Sequence, residues 1–314
     1  MTVDELVARA VDADRRAIAR LVSMVEDASP LLREVMAALI PHAGSALVIG
    51  LTGAPGVGKS TSTSALVTAF RAQGLRVGVL AVDPTSPFTG GALLGDRVRM
   101  QDHATDDDVF IRSMATRGHL GGLAWATPQA VRILDAAGCD VVLVETVGVG
   151  QSEVDVAGLA DTTVVLLAPG MGDGIQAAKA GILEVGDIFV VNKADRDGAD
   201  AVVRDLRATV RMTERAPGDW RQPILTTVAS RGEGIDELVA AIEAHRAWAV
   251  DSGTAQQRRV RRVRDEIQAI AIADLRRAIA DLHGDERLDE LARSVLAGEQ
   301  DPYVAADTIT AAMR

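Results

Sequence analysis

Gly53-Ala54-Pro55-Gly56-Val57-Gly58-Lys59-Ser60 sets three glycines ahead of a lysine and a hydroxyl. Glycines let backbone N–H groups turn inward around phosphate oxygens, and a helix starting at the lysine adds favourable partial charge. In that arrangement Lys59 reaches the β- and γ-phosphates of a nucleotide, and the Ser60 hydroxyl binds Mg2+. The context fits. The apolar run Ala46–Leu51 precedes the loop and a helix-forming stretch from Thr61 to Gln73 follows it, so the nucleotide-binding segment is read as Gly53 to Thr61.

Asn192-Lys193-Ala194-Asp195 closes a second apolar run, Ile188–Val191. A ligand loop belongs at such a strand end in an open α/β sheet. The Asp195 carboxylate can accept both the ring N–H and the exocyclic amine of guanine, a donor pair that adenine lacks, while the Lys193 stem lies across the base plane. Alone, this tetrapeptide is a common surface turn; downstream of a phosphate loop it reads as a guanine site. Val228-Ala229-Ser230 follows the last apolar run and can present the Ala229 N–H to the guanine oxygen.

Two acids stand at strand ends, Asp83 after Val77–Val82 and Glu145 after Val141–Val144. Carboxylates there can hold Mg2+ through its water shell. Asp83, ahead of Pro84, equally suits a turn or cap. Glu145-Thr146-Val147-Gly148 occupies the place where GTPases usually carry Asp-x-x-Gly; Glu is one methylene longer, which leaves open direct or water-mediated contact with the ion. Gly148 would offer its N–H to the γ-phosphate. Asp96 ends the glycine-rich stretch Gly90-Gly91-Ala92-Leu93-Leu94-Gly95, suited to a switch and a metal ligand, or else to an ordinary loop acid.

The chain writes nearly every cation as arginine: of 33 basic residues only Lys59, Lys179 and Lys193 are lysines. Two sit in the signatures above, where a compact ammonium or slim stem does what a planar guanidinium does poorly. Lys179 lies in no general motif.

The elements that must position these residues follow from the apolar pattern. Runs at 46–52, 76–82, 108–113, 140–145, 162–168, 187–192 and 223–228 alternate with helical stretches. Runs apolar on both faces predict a mostly parallel central sheet with helices on both faces, an α/β fold. Helical spacing predicts one helix over 4–26 and another over Pro30–Ile40, then, after the sheet, helices over 256–281 and 285–313, with Gly284 and Pro302 as punctuation. We read an N-terminal helical extension at 1–43, the nucleotide domain at 44–250 and a C-terminal helical extension at 251–314.

Composition bounds the function. A net charge of −11 argues against general nucleic-acid binding. Arg258, Arg259, Arg261, Arg262 and Arg264 cluster ahead of an amphipathic helix and read better as a solvated or interface face. The single Cys139 excludes an internal disulfide framework and any multi-cysteine metal site. No signal-peptide core and no membrane-length apolar run are present, so a cytoplasmic protein is expected.

Together these motifs resemble the methylmalonyl-CoA mutase-associated GTPases, the MeaB/ArgK type of P-loop protein. The resemblance also rests on Val82-Asp83-Pro84-Thr85-Ser86, Thr89 through Arg97, Arg112-Ser113-Met114-Ala115-Thr116-Arg117-Gly118 and Glu145 through Glu153, and runs over about residues 5–310. It implies a homodimeric chaperone that hydrolyses GTP, with GDP as the bound product, and so gates cofactor loading of an adenosylcobalamin-dependent mutase and protects it. It implies Glu145 in place of the usual Asp, dimerisation through the C-terminal helices, and a third switch from Ala168 to Lys179. Lys179 then couples nucleotide state to the mutase, or is a solvated helix lysine. Hydrolysis would be carried by Lys59, Glu145, Asp96 and Lys179. Gln151 is a candidate for positioning water; Arg112 and Arg117 would supply a cation or serve structure. The alternatives are a nickel-type metal-delivery GTPase, against which stand five scattered histidines and one cysteine, and a kinase linked to amino-acid transport, an older family label.

Overall fold

The computed structural model describes residues 1–83, 103, 105–115, 122–146, 152–170, 182–211, 216, 218–280 and 286–312. Its centre is a seven-stranded sheet in the order β3-β2-β4-β1-β5-β6-β7. The strands are β1 (Leu47–Thr52), β2 (Val77–Asp83), β3 (Val109–Ala115), β4 (Val141–Thr146), β5 (Thr162–Leu167), β6 (Ile188–Asn192) and β7 (Ile224–Thr227). Each lies where an apolar run predicted it. Every ladder in this sheet is parallel.

Both faces are covered, which is why β1, β4, β5 and β6 are buried along their whole length. On one face Val48, Leu80, Val142 and Val144 share a core with N-terminal helices α1 (Val3–Val11), α2 (Arg15–Glu26) and α3 (Leu32–Leu39), and with α5 (Gly122–Ala136) and α6 (Ser152–Leu159). On the other, Leu47, Ile49 and Leu51 pack with α4 (Lys59–Ala72) and α9 (Ile235–Asp251). A third cluster sets Val165, Leu167, Phe189 and Val191 against α8 (Ala199–Arg211), which follows the short α7 (Ile182–Val185).

The single helix predicted over 4–26 is two. Asp14 caps α2 by accepting from the N–H groups of Arg16 and Ala17, and Ala13 turns the chain with φ of 63°. Apolar spacing stays in phase across this break, so periodicity concealed it. The N-terminal helices are bound to the sheet edge by Arg112 on β3, which donates to Ser23 Oγ at 2.9 Å and pairs with Glu26.

The C-terminal helices are α10 (Thr254–Ala280), α11 (Glu286–Leu296) and α12 (Pro302–Ala312). The helical stretch predicted from 285 is two helices, and the punctuation expected at Pro302 opens the last one, where its missing N–H costs nothing. The chain divides into two compact units, Met1–Val263 and Arg264–Arg314. The first turns of α10 belong to the larger unit because Arg258 clamps the buried Asp187 with bonds of 2.8 and 2.7 Å, and Arg262 reaches Asp161 at 2.7 Å.

Candidate functional site

The chain passes from β4 to β5 across β1, which both strands flank. A ligand crevice opens at such a reversal, beyond the carboxyl ends of the strands. The loop from Gly53 to Gly58 lies there. Gly53 and Gly58 have φ of 141° and 97°. A Cβ at Gly53 would strike the Leu166 carbonyl of β5, and one at Gly58 would overlap the Asn192 side chain. Glycine is required at both.

Gly58 caps α4, and Lys59 and Ser60 form the helix's first turn, two residues earlier than the predicted start at Thr61. Lys59 and Ser60 are buried, and Thr61 is exposed. Lys59 Nζ donates to Gly53 O at 2.6 Å and Ala54 O at 3.1 Å, so its ammonium already sits within the loop's concavity.

Ser60 Oγ donates to Glu145 Oε1 at 2.6 Å, and Thr63 Oγ1 lies 2.9 Å from Glu145 Oε2. Glu145 is 2% exposed and stands between Leu51 of β1 and Ala81 of β2. A hydroxyl and a carboxylate in contact beside a phosphate loop make a hard-oxygen donor set, which fits Mg2+. Of the other predicted ligands, Asp83 ends β2 but its side chain lies outside the described residues. Asp96, Gly148, Lys179, Arg117 and Gln151 also lie outside them.

Asn192 is buried at the end of β6 and acts as a bolt. Its Nδ2 donates to Val57 O at 2.8 Å; its Oδ1 accepts from Thr227 Oγ1 and Ala229 N, both at 3.1 Å. One side chain thereby joins the phosphate loop, β7 and the segment Val228-Ala229-Ser230. The Ala229 N–H, predicted to face the guanine oxygen, is here donated to Asn192. Lys193, at φ of 58°, lays its side chain back so that Nζ donates to Gly56 O at 2.6 Å. Asp195 is exposed and pairs with Arg231 at 3.2 Å.

Sequence reading missed three participants. Thr63 follows Ser60 by three residues, a spacing that places both on one helix face, and this signal was there to be used. Thr227 and Arg231 carried none.

A parallel sheet with a phosphate loop at its reversal, and Asn-Lys-x-Asp at the end of β6 bolted to that loop, defines a P-loop GTPase. Residues 18–282 match the family model described as methylmalonyl Co-A mutase-associated GTPase MeaB. The chain belongs to this family. A protein of Pyrococcus abyssi named as a GTPase is 48% identical over 310 residues, covering 98% of this chain and 95% of that one. GTPase ArgK of Escherichia coli is 39% identical over 263 residues, 82% of this chain and 81% of its own. The mouse methylmalonic aciduria type A homolog, mitochondrial, is 36% identical over 253 residues, 75% of this chain and 61% of its own. Among solved structures, one described as LAO/AO transport system kinase is similar at a TM-score of 0.73 and 28% identity, covering 99% of this chain and 97% of that one. The chain is therefore a GTPase that binds GTP and GDP. No described helix is long and apolar enough to cross a membrane.

Proposed function

We propose that this GTPase is a chaperone of an adenosylcobalamin-dependent methylmalonyl-CoA mutase, in which GTP binding and hydrolysis gate cofactor loading and protect the mutase from inactivation. The observation that carries this reading is the match of residues 18–282 to the mutase-associated family.

The residues support a consistent chemistry. Water attacks the γ-phosphate while Lys59 exchanges the Gly53 and Ala54 carbonyls for phosphate oxygens. Ser60 and Glu145, with Asp83 and Asp96, would hold Mg2+, which when bound neutralises charge on the phosphate oxygens. Gly148 would sense the γ-phosphate, and Lys179 would pass nucleotide state to the mutase. Asp195, with Lys193 over the base and Ala229 at its oxygen, would select guanine; such selection disfavours the kinase alternative. The metal-delivery alternative finds little support, since Cys139 is buried and the five histidines are scattered.

We also propose a homodimer in the cytoplasm. Ile267, Leu275, Leu296 and Tyr303 are exposed, and apolar side chains of this size on helices suit a second copy. The experiment is co-purification with the host's cobalamin-dependent mutases in GTP, GDP and no nucleotide. Nucleotide-dependent association is expected; absence of association in every state would turn belief to metal delivery. Lys179→Ala should spare GTP binding yet uncouple hydrolysis from the mutase, and unchanged stimulation would reduce Lys179 to a surface lysine.

A further inference from the structure

Arg231 ends a 3-10 turn, Ala229–Arg231, that leads out of the predicted base site. Its backbone is held from the N-terminal side. Its N–H donates to Val228 O at 2.8 Å, and the turn's first residue, Ala229, is held by Asn192. The side chain is 59% exposed, and its Nη2 donates to Asp195 Oδ2 at 3.2 Å.

This pair has a chemical meaning beyond an ordinary surface contact. Guanine presents N1–H and the 2-amino group from a carbon bonded to three nitrogens, which is a guanidine unit. The arginine side chain ends in the same planar fork, with a charge added. Both groups seek the same carboxylate geometry. Asp195 is itself exposed, so approach by a ligand is not obstructed by packing. Glu233 Oε1 lies 3.7 Å from Arg231 Nη1, and gives a displaced guanidinium a second carboxylate to occupy.

We propose that Arg231 is an internal stand-in for the guanine base, occupying Asp195 in the nucleotide-free protein and yielding to the base when nucleotide binds. The inference rests on the guanine-site reading of Asp195. Its consequence is kinetic: nucleotide associates only with the fraction of molecules in which Asp195 has been released. An exposed pair of this kind is weak, so the restraint amounts to about 2- to 5-fold.

Stopped-flow binding of fluorescent GDP to Arg231→Ala tests this, because an exposed side chain can be removed without risk to folding. The association rate should rise about 2- to 5-fold with an unchanged dissociation rate. In the Asp195→Asn background, read with xanthosine diphosphate, the same replacement should do nothing. A faster dissociation from Arg231→Ala would show Arg231 holding the bound base and would overturn the proposal, as would unchanged rates. Asp195→Asn alone separates the two levels. If it inverts preference from guanine to xanthine while Arg231→Ala is silent, only the stand-in role fails. If guanine preference is untouched, the base-site reading fails and the proposal with it.

Discussion

Ser60 Oγ donates to Glu145 Oε1 across 2.6 Å, making the hydroxyl that opens α4 and the carboxylate on β4 one buried unit. Thr63 holds the other carboxylate oxygen at 2.9 Å. The extra methylene of Glu relative to Asp is thus accommodated by a carboxylate spanning two hydroxyls of one helix face.

Glu145→Gln keeps that shape and removes the charge, so GTP hydrolysis should fall about 100-fold or more, with circular dichroism unchanged. Thr63→Val should raise the Mg2+ concentration for half-maximal hydrolysis about 10-fold, as expected when the support of a ligand is lost. Magnesium titration of GDP-loaded protein offers a second readout. Wild-type magnesium dependence in both variants would leave Glu145 a structural acid.

Asn192→Ala should be the most damaging of the motif replacements to stability. It strands the Val57 carbonyl, the Thr227 hydroxyl and the Ala229 N–H in a buried place. Each unsatisfied group costs about 1–3 kcal/mol, and partial relaxation makes about 3 kcal/mol a reasonable total. Urea unfolding of the nucleotide-free protein measures it. A loss below about 1 kcal/mol would mean that Asn192 binds ligand but bolts nothing.

Asp187 gives the fold a defined acid sensitivity. Burial pushes its carboxyl up, but hydrogen bonds from Arg258 and His245 outweigh burial and leave it at about 2, below the ordinary 3.8. The folded value is depressed, so this stabilisation is complete above about pH 4 and is lost as pH falls towards 2. It amounts to about 2 kcal/mol. The difference in unfolding free energy between wild type and Asp187→Asn should shrink by that amount between pH 6 and pH 2. Tryptophan fluorescence can follow it, since Trp220 and Trp248 lie 5.0 and 5.6 Å from His245. A pH-independent difference would refute the assignment.

Cys139 should be chemically silent. It is buried, and burial pushes its thiol up to about 12. Thiolate is the reactive form, so a disulfide reagent at pH 8 should leave the native protein unmodified and react fully in denaturant. Rapid labelling of native protein would reveal opening around β4.

Much of the molecule was legible before folding. Strands buried on both faces write continuous apolar runs, and all seven were found where those runs lie. The phosphate loop was legible because glycines at positive φ leave few substitutes. The break at Ala13 was not, since it requires one left-handed residue while the apolar spacing continues through it. Pro302 was legible as punctuation in the C-terminal stretch, and the structure shows that it marks the start of α12.

The amino-acid order by itself determined the sheet, the phosphate loop and the guanine motif, because burial, glycine geometry and charge type act through neighbours in the chain. The tertiary structure alone decided what those residues touch. Asn192 meets Val57 and Ala229, Glu145 meets Ser60 and Thr63, Arg258 meets Asp187, and Arg231 meets Asp195. Each pairing joins residues far apart in the chain, brought within hydrogen-bond range by the packing of helices and strands. Hydrogen bonds depend on distances of a few tenths of an ångström, and no spacing along the sequence encodes them.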